Sequence, residues 1–308
     1  EARKVLHGEV ENERWLIWLY TQDSEEEIWE DEKSWQKSNP GIGIIKKWSF
    51  LRRMINESKL SSSQRAYVLA KDFNLKQNNA QAWLSKNDVE NDLTFDLEDF
   101  KNGIAIGAAD LSETTDLTNA RILFYNPKTK KKYTHTMYFI PEAKLKEVDK
   151  ETKAKFTKWV KEEFLFICSG NEVEQSDVVA WFVKLYKQYK IRLFRVGYDK
   201  WQAKAFKSEM EDYGYDMEKI SQGYDLSAAM NLVEADLKSN LLNYNQNPMD
   251  KMCLENVAAK WNSQATKRMP VKVQGKVDNW IDGAVTILIA YETLNRVKNE
   301  YSDIVRRR

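Results

Sequence analysis

The chain has 308 residues, 42% hydrophobic and 31% charged, enough to pack a core and too apolar for wholesale disorder. Its formal net charge of +1 excludes an argument for a nucleic-acid partner from global charge, so any DNA-binding surface must be a local patch. Cys168 and Cys253 lack metal-ligand spacing, and His7 and His135 are too isolated for zinc or nucleophile chemistry; this usage fits a reduced, cytosolic, non-secreted protein.

No apolar run reaches membrane-spanning length and no signal peptide is visible. The first residue is Glu, so the sequence is expected to begin inside a longer protein. Trp15–Tyr20 reads as a strand, the acidic stretch from Asp23 to Asp31 as a solvated loop, and Pro40-Gly41 as a turn. Helices are expected over Ser49–Glu57 and Ser61–Asp72, the second capped by Ser61, Ser62 or Ser63. Ser85–Asp99 is polar and acidic and reads as a linker. The chain therefore divides near 85–101, into residues 1–95, mostly helical, and residues 96–308.

The second part opens with strands at 103–110, 120–125 and 133–140, the last two joined by a hairpin turn at Asn126–Lys132. Helices follow at 150–164 and 176–189, then a strand at 191–198, a helix at 201–213, a short strand at 217–221 and a helix at 225–241. An irregular segment leads to a last helix, Trp280–Asn299. Three hairpin-linked strands followed by alternating helices and strands predict a mixed α/β sheet with helices on both faces.

Asp110 and Asp199 each end an apolar strand, and Asp282 lies near the start of the last helix. If the first and fourth of these strands are parallel neighbours, their C-terminal ends set Asp110 beside Asp199, where open α/β sheets bind ligands. Converging carboxylates call for cations, and hard oxygen donors select Mg²⁺ or Mn²⁺. Singly, each aspartate also reads as a turn or helix cap. Asp116 is a further ligand or a turn cap, and Asp278 either shares a helix face with Asp282 or caps the helix. Lys128, Lys130, Lys131 and Lys132 form a basic hairpin tip, either a solvated turn or a contact to phosphates. No P-loop, G-x-S-x-G or C-x-x-C motif is present.

The segment Gly107–Thr118, which contains D-L-S-E-T-T-D-L-T, resembles the first nuclease motif of the large subunit of tailed-phage DNA-packaging terminases. Val196–Ala203, with Tyr198-Asp199, resembles that family's second acidic motif, with Lys200 where the family usually has Pro. Lys276–Val285, with Ile281-Asp282-Gly283, resembles its third. Asn247-Pro248 and Asn256 also stand where the family has a similar N-P and Asn, and Val5–Val10 and Trp35–Pro40 resemble the end of its ATPase domain and linker.

The resemblance implies an RNase H-like nuclease domain over residues 96–308, preceded by the tail of an ATPase domain without Walker motifs and so without ATPase activity. It implies cutting of concatemeric double-stranded DNA in the host cytoplasm, with a small terminase subunit and a portal protein as partners. The expected mechanism is two-metal hydrolysis, Asp110 bridging the cations while Asp199 and Asp282 complete one site each. The alternatives are another RNase H-like nuclease of resolvase or transposase type, or a non-catalytic module that docks on DNA or the portal.

Overall fold

The computed structural model describes the chain apart from residues 1–4, 7–10, 12–13, 60–61, 76–82, 112–116, 147, 149, 200–202, 274–279 and 308. The chain forms two compact units, residues 1–81 and 82–308. In the first, α1 (Glu26–Glu30) leads into a 3₁₀ turn, followed by α2 (Trp48–Ser58) and α3 (Ser62–Asp72). Leu51, Met54 and Ile55 recur at helical spacing on the buried face of α2, as an amphipathic helix requires. Trp35 stacks on Trp48 and meets the edge of Phe73, which closes this small core.

The acidic stretch is thus only partly the loop its composition predicts. Ile28 is buried, and Lys37 neutralises Asp23 and Glu27 at 2.6 and 2.7 Å, which lets one helical turn form. Trp15–Tyr20 is not a strand. A strand needs a partner for its backbone ladder, and among the described residues this segment has none; most of its large side chains are exposed. The caps expected for α3 involve Ser61, outside the described residues, and two serines whose side chains are not described.

The second unit is built on a seven-stranded mixed sheet. Its strands are β1 (Ile104–Asp110), β2 (Thr118–Tyr125), β3 (Lys132–Pro141), β4 (Leu165–Cys168), β5 (Arg192–Asp199), β6 (Met217–Ile220) and β7 (Leu242–Asn243). The order is β4-β3-β2-β1-β5-β6, with β7 pairing the far end of β3. The β1–β2–β3 run is antiparallel, and β1 pairs β5 in parallel. Alternate strand residues bury on opposite faces. Ile106, Ala108, Leu123 and Tyr138 share a core with α8 (Ser227–Lys238), α9 (Pro248–Glu255) and α10 (Asp282–Arg306). Ala105, Ala109, Ile122 and Phe139 share the other with α6 (Gln175–Tyr189) and α7 (Lys204–Asp212). Because helices cover both faces, β2 is buried at every position and shows no polar alternation.

Between these lie α4 (Lys86–Val89) and α5 (Lys150–Lys161). The linker read from polarity over 85–99 packs instead onto the second unit. Trp83, Leu84 and Val89 enter its core, and the Tyr244 hydroxyl donates to the Val89 carbonyl. The irregular segment before the last helix contains α9 and a hairpin of β8 (Val257–Trp261) and β9 (Arg268–Lys272), and β4 is a further strand that sequence pattern missed. These elements are four to eight residues long, too short for periodicity to declare them.

Candidate metal centre

The last registered pair of the parallel β1–β5 ladder is Ala109 with Tyr198, so Asp110 and Asp199 are the next residues on neighbouring strands, roughly 5 Å apart in backbone spacing. A bulge makes this alignment. Ala105 pairs with Leu193, but Ile106 pairs with Arg195, so β5 spends one extra residue. Without it Tyr198 would lie opposite Asp110 and the Asp199 side chain would fall on the other face. With it, Asp110 and Asp199 continue the rows of Ala108 and Gly197, which face α10: a Cβ added at Gly197 would meet Thr293 and Ile289 of that helix.

Helix α10 runs antiparallel to β1. Near its end Tyr301 donates to the Ile104 carbonyl, so its start lies over the C-terminal edge of the sheet. Asp282 is its first residue. The three aspartates therefore share one edge and one face. Asp110 and Asp199 are adjacent, while Asp282 stands nearer β2 and β3, and no ready-made cluster of three or more His, Cys, Asp or Glu exists among the described residues. Asp116 and Asp278 lie outside the described residues, as does Lys200.

The helix start is clamped from below. Arg121 on β2, fully buried, forms a two-pronged ion pair with Asp250 at 2.9 and 2.5 Å and donates to the Gly283 carbonyl at 3.3 Å. The Tyr138 hydroxyl donates to the same Asp250. A Cβ at Gly283 would overlap the Tyr138 hydroxyl, so only glycine lets the helix sit this low beside Asp282. Asn247 caps α9, accepting from Met249 and Asp250 backbone amides, and Asn256 at the far end holds the Trp280 carbonyl at 3.2 Å. The Asn-Pro and Asn signals thus belong to the scaffold beneath Asp282. Burial opposes the charge of Arg121, but Asp250 outweighs it and raises the guanidinium pKa; burial, then Asp250, holds the Tyr138 phenol far above its ordinary value. Burial, with Asp282 nearby, pushes the Cys253 thiol up to about 12.

Two site residues escaped sequence reading. Gln222, just past β6, donates to Asp110 Oδ1 at 2.9 Å, and nothing in its local sequence signals this. Asn119, registered opposite Asp110, is fully buried, and its Oδ1 has no hydrogen-bond partner among the described residues. Carboxylate and amide oxygens gathered at one partly buried edge, one of them unsatisfied, fit a hard divalent cation.

The basic hairpin tip lies at the opposite edge of the sheet. Lys128, Lys130 and Lys131 are exposed there, but Lys132 is buried, paired with Asp236 at 2.5 Å and lying over the rings of Tyr125 and Tyr291. It is therefore a core ion pair and not a phosphate contact. A cleft of about 610 Å³ opens at this edge too, walled by Phe100, Phe124, Tyr133 and Tyr301, but among the described residues Asp99 is the only acid in its lining. Neither feature is part of the carboxylate edge.

The family described as the terminase large subunit, endonuclease domain, matches residues 9–296. The chain belongs to that family. It is 26% identical over 293 residues to the terminase large subunit of Lactococcus phage p2, covering 92% of this chain and 52% of that one. Protein YmfN of Escherichia coli K12 is 25% identical, with 94% and 65% covered. The crystal structure of the HK97 bacteriophage large terminase matches with a TM-score of 0.58 at 18% identity, over 95% of this chain and 59% of that one. The sheet flanked by helices is thus the terminase nuclease, RNase H-like fold. The chain spans about half the length of the phage terminase it matches. No helix among the described residues is long and apolar enough to cross a membrane.

Proposed function

We propose that this terminase nuclease unit is a metal-dependent DNA endonuclease that cuts concatemeric double-stranded phage DNA during packaging. The observation that carries the reading is the in-register pair Asp110 and Asp199, at the same edge and face as Asp282. Two carboxylates held side by side repel each other and repel DNA phosphates, so the arrangement makes sense when cations occupy it. Asp110, Asp199 and Asp282 would hold Mg²⁺ or Mn²⁺, with Asp116 and Asp278 as further candidates. When bound, such ions supply an activated water and charge neutralisation at the leaving oxygen. The chain's own contribution is positional: Gln222 orients Asp110, the β5 bulge aims Asp199, and the Arg121–Asp250 pair seats the helix that begins with Asp282.

The remaining partners follow from the family. Double-stranded DNA is the substrate, and a small terminase subunit and a portal protein are the proposed companions. Residues 1–81 correspond in this reading to the end of an ATPase domain; without Walker motifs they are not expected to hydrolyse ATP. Supercoiled-plasmid cleavage with Mn²⁺, Mg²⁺ or EDTA tests the reading. Metal-dependent nicking is expected from the parent chain and its loss from Asp110→Asn, Asp199→Asn and Asp282→Asn, each with an unchanged unfolding transition. Cleavage at the parental rate by all three variants would refute the site.

A further inference from the structure

We propose that Asn119 is an additional oxygen donor of this centre, binding the cation or its water through Oδ1. The inference rests on the metal-centre reading above, and on four observations that the acidic motifs do not contain.

First, Asn119 lies between the acids. It is registered against Asp110 on one side and Tyr138 on the other, and the Tyr138 hydroxyl lies beneath Gly283, next to Asp282. The row Asp110–Asn119–Tyr138 thus spans the gap between the strand-end aspartates and the helix-start aspartate. Second, its side chain shares their face. Arg121 and Leu123, two and four residues on, face α9 and α10, so Asn119 does too.

Third, the orientation of the amide is fixed by its neighbours. Nδ2 donates to Thr136 Oγ1 at 2.8 Å and to the Met137 carbonyl at 3.2 Å. The Thr136 hydroxyl spends its own proton on the Ala120 carbonyl at 2.9 Å and can only accept from Asn119. A flipped amide would set a carbonyl against two acceptors. Oδ1 is therefore turned away from β3. Fourth, that oxygen is buried and has no partner among the described residues. A buried acceptor left unsatisfied is unfavourable, so such groups generally have a partner, whether protein, water or ion. An amide oxygen is an ordinary ligand for hard divalent cations and adds no charge to an already acidic edge.

The test is Mn²⁺ titration by calorimetry on the whole chain, with thermal unfolding in EDTA as the check of folding. Asn119→Ala is expected to weaken Mn²⁺ binding at least tenfold. Asn119→Asp separates the two roles, because it keeps an oxygen but loses the Nδ2 donor. If the residue serves as an oxygen donor, Asn119→Asp binds Mn²⁺ within threefold of the parent or more tightly. If it serves only to tie β2 to β3, Asn119→Asp is at least as impaired as Asn119→Ala. Parental Mn²⁺ affinity in Asn119→Ala, or loss of affinity in Asn119→Asp equal to that in Asn119→Ala, would overturn the proposal while Asp110→Asn still abolishes binding. Parental affinity in Asp110→Asn would instead remove the metal centre itself, and this inference with it.

Discussion

Gly197 offers the sharpest test of how β5 and α10 meet. Replacing a strand glycine by alanine normally stabilises by about 0.5–1 kcal/mol, through lower chain entropy. Here the added methyl would overlap Thr293 Oγ1 and come within 2.9 Å of Ile289 Cγ2. Thr293 cannot swing aside easily. Its hydroxyl donates to the Ile289 carbonyl at 2.7 Å, and a β-branched side chain in a helix has few rotamers. Overpacking of this kind costs about 1–3 kcal/mol, and the pinned partner places Gly197→Ala at the upper end, net of the entropy gain about 2 kcal/mol destabilising. Equilibrium urea unfolding should show a lower midpoint at unchanged slope. Thr293→Ala removes the worst overlap, so the double variant should recover at least 1 kcal/mol relative to the sum of the singles. Gly197→Ala within about 0.5 kcal/mol of the parent, or strict additivity with Thr293→Ala, would refute the close approach of β5 and α10 that sets Asp199 facing the helix.

Two other perturbations separate core from surface. Lys132→Met leaves Asp236 buried with Tyr291 and without its cation, which should cost about 3–5 kcal/mol, whereas Lys131→Met at the exposed tip should stay within about 0.5 kcal/mol; equal midpoints in urea would contradict the assignment. His135, stacked on Trp181, has its pKa pulled down from 6.5 to about 4 by burial and by Arg121. The unfolded chain therefore takes up a proton near pH 6.5 that the folded chain refuses until about pH 4. Stability should fall as pH drops through that window, by at most about 3 kcal/mol and less because the ring keeps some solvent access. His135→Gln should remove that part of the slope in thermal unfolding at pH 4 to 7, and an unchanged slope would count against a neutral buried imidazole.

Sequence alone determined the long elements and the identity of the acids. β1, β2, β3 and β5 are stretches of seven to ten residues rich in apolar, β-branched and aromatic side chains, and α10 is a continuous helical pattern, so their types follow from local composition. The order of three strands followed by alternating elements gave the mixed sheet, and the D-L-S, Y-D and I-D-G segments gave the family. What tertiary structure alone decided is mostly short or non-local. β4, α9 and the β8–β9 hairpin carry too few residues for a period to show, and Trp15–Tyr20 has strand-forming residues but no pairing strand among the described residues. Lys132 looks like its lysine neighbours in sequence and differs only because Asp236, 104 positions away, lies beside it. The alignment of Asp110 with Asp199 depends on one bulged residue in β5, invisible to composition because a slip of one position leaves the sequence pattern unchanged while reversing every side chain. Gln222 and Asn119 approach Asp110 only across strands, since contacts between distant segments are set by the ladder register and not by the residues' own neighbours.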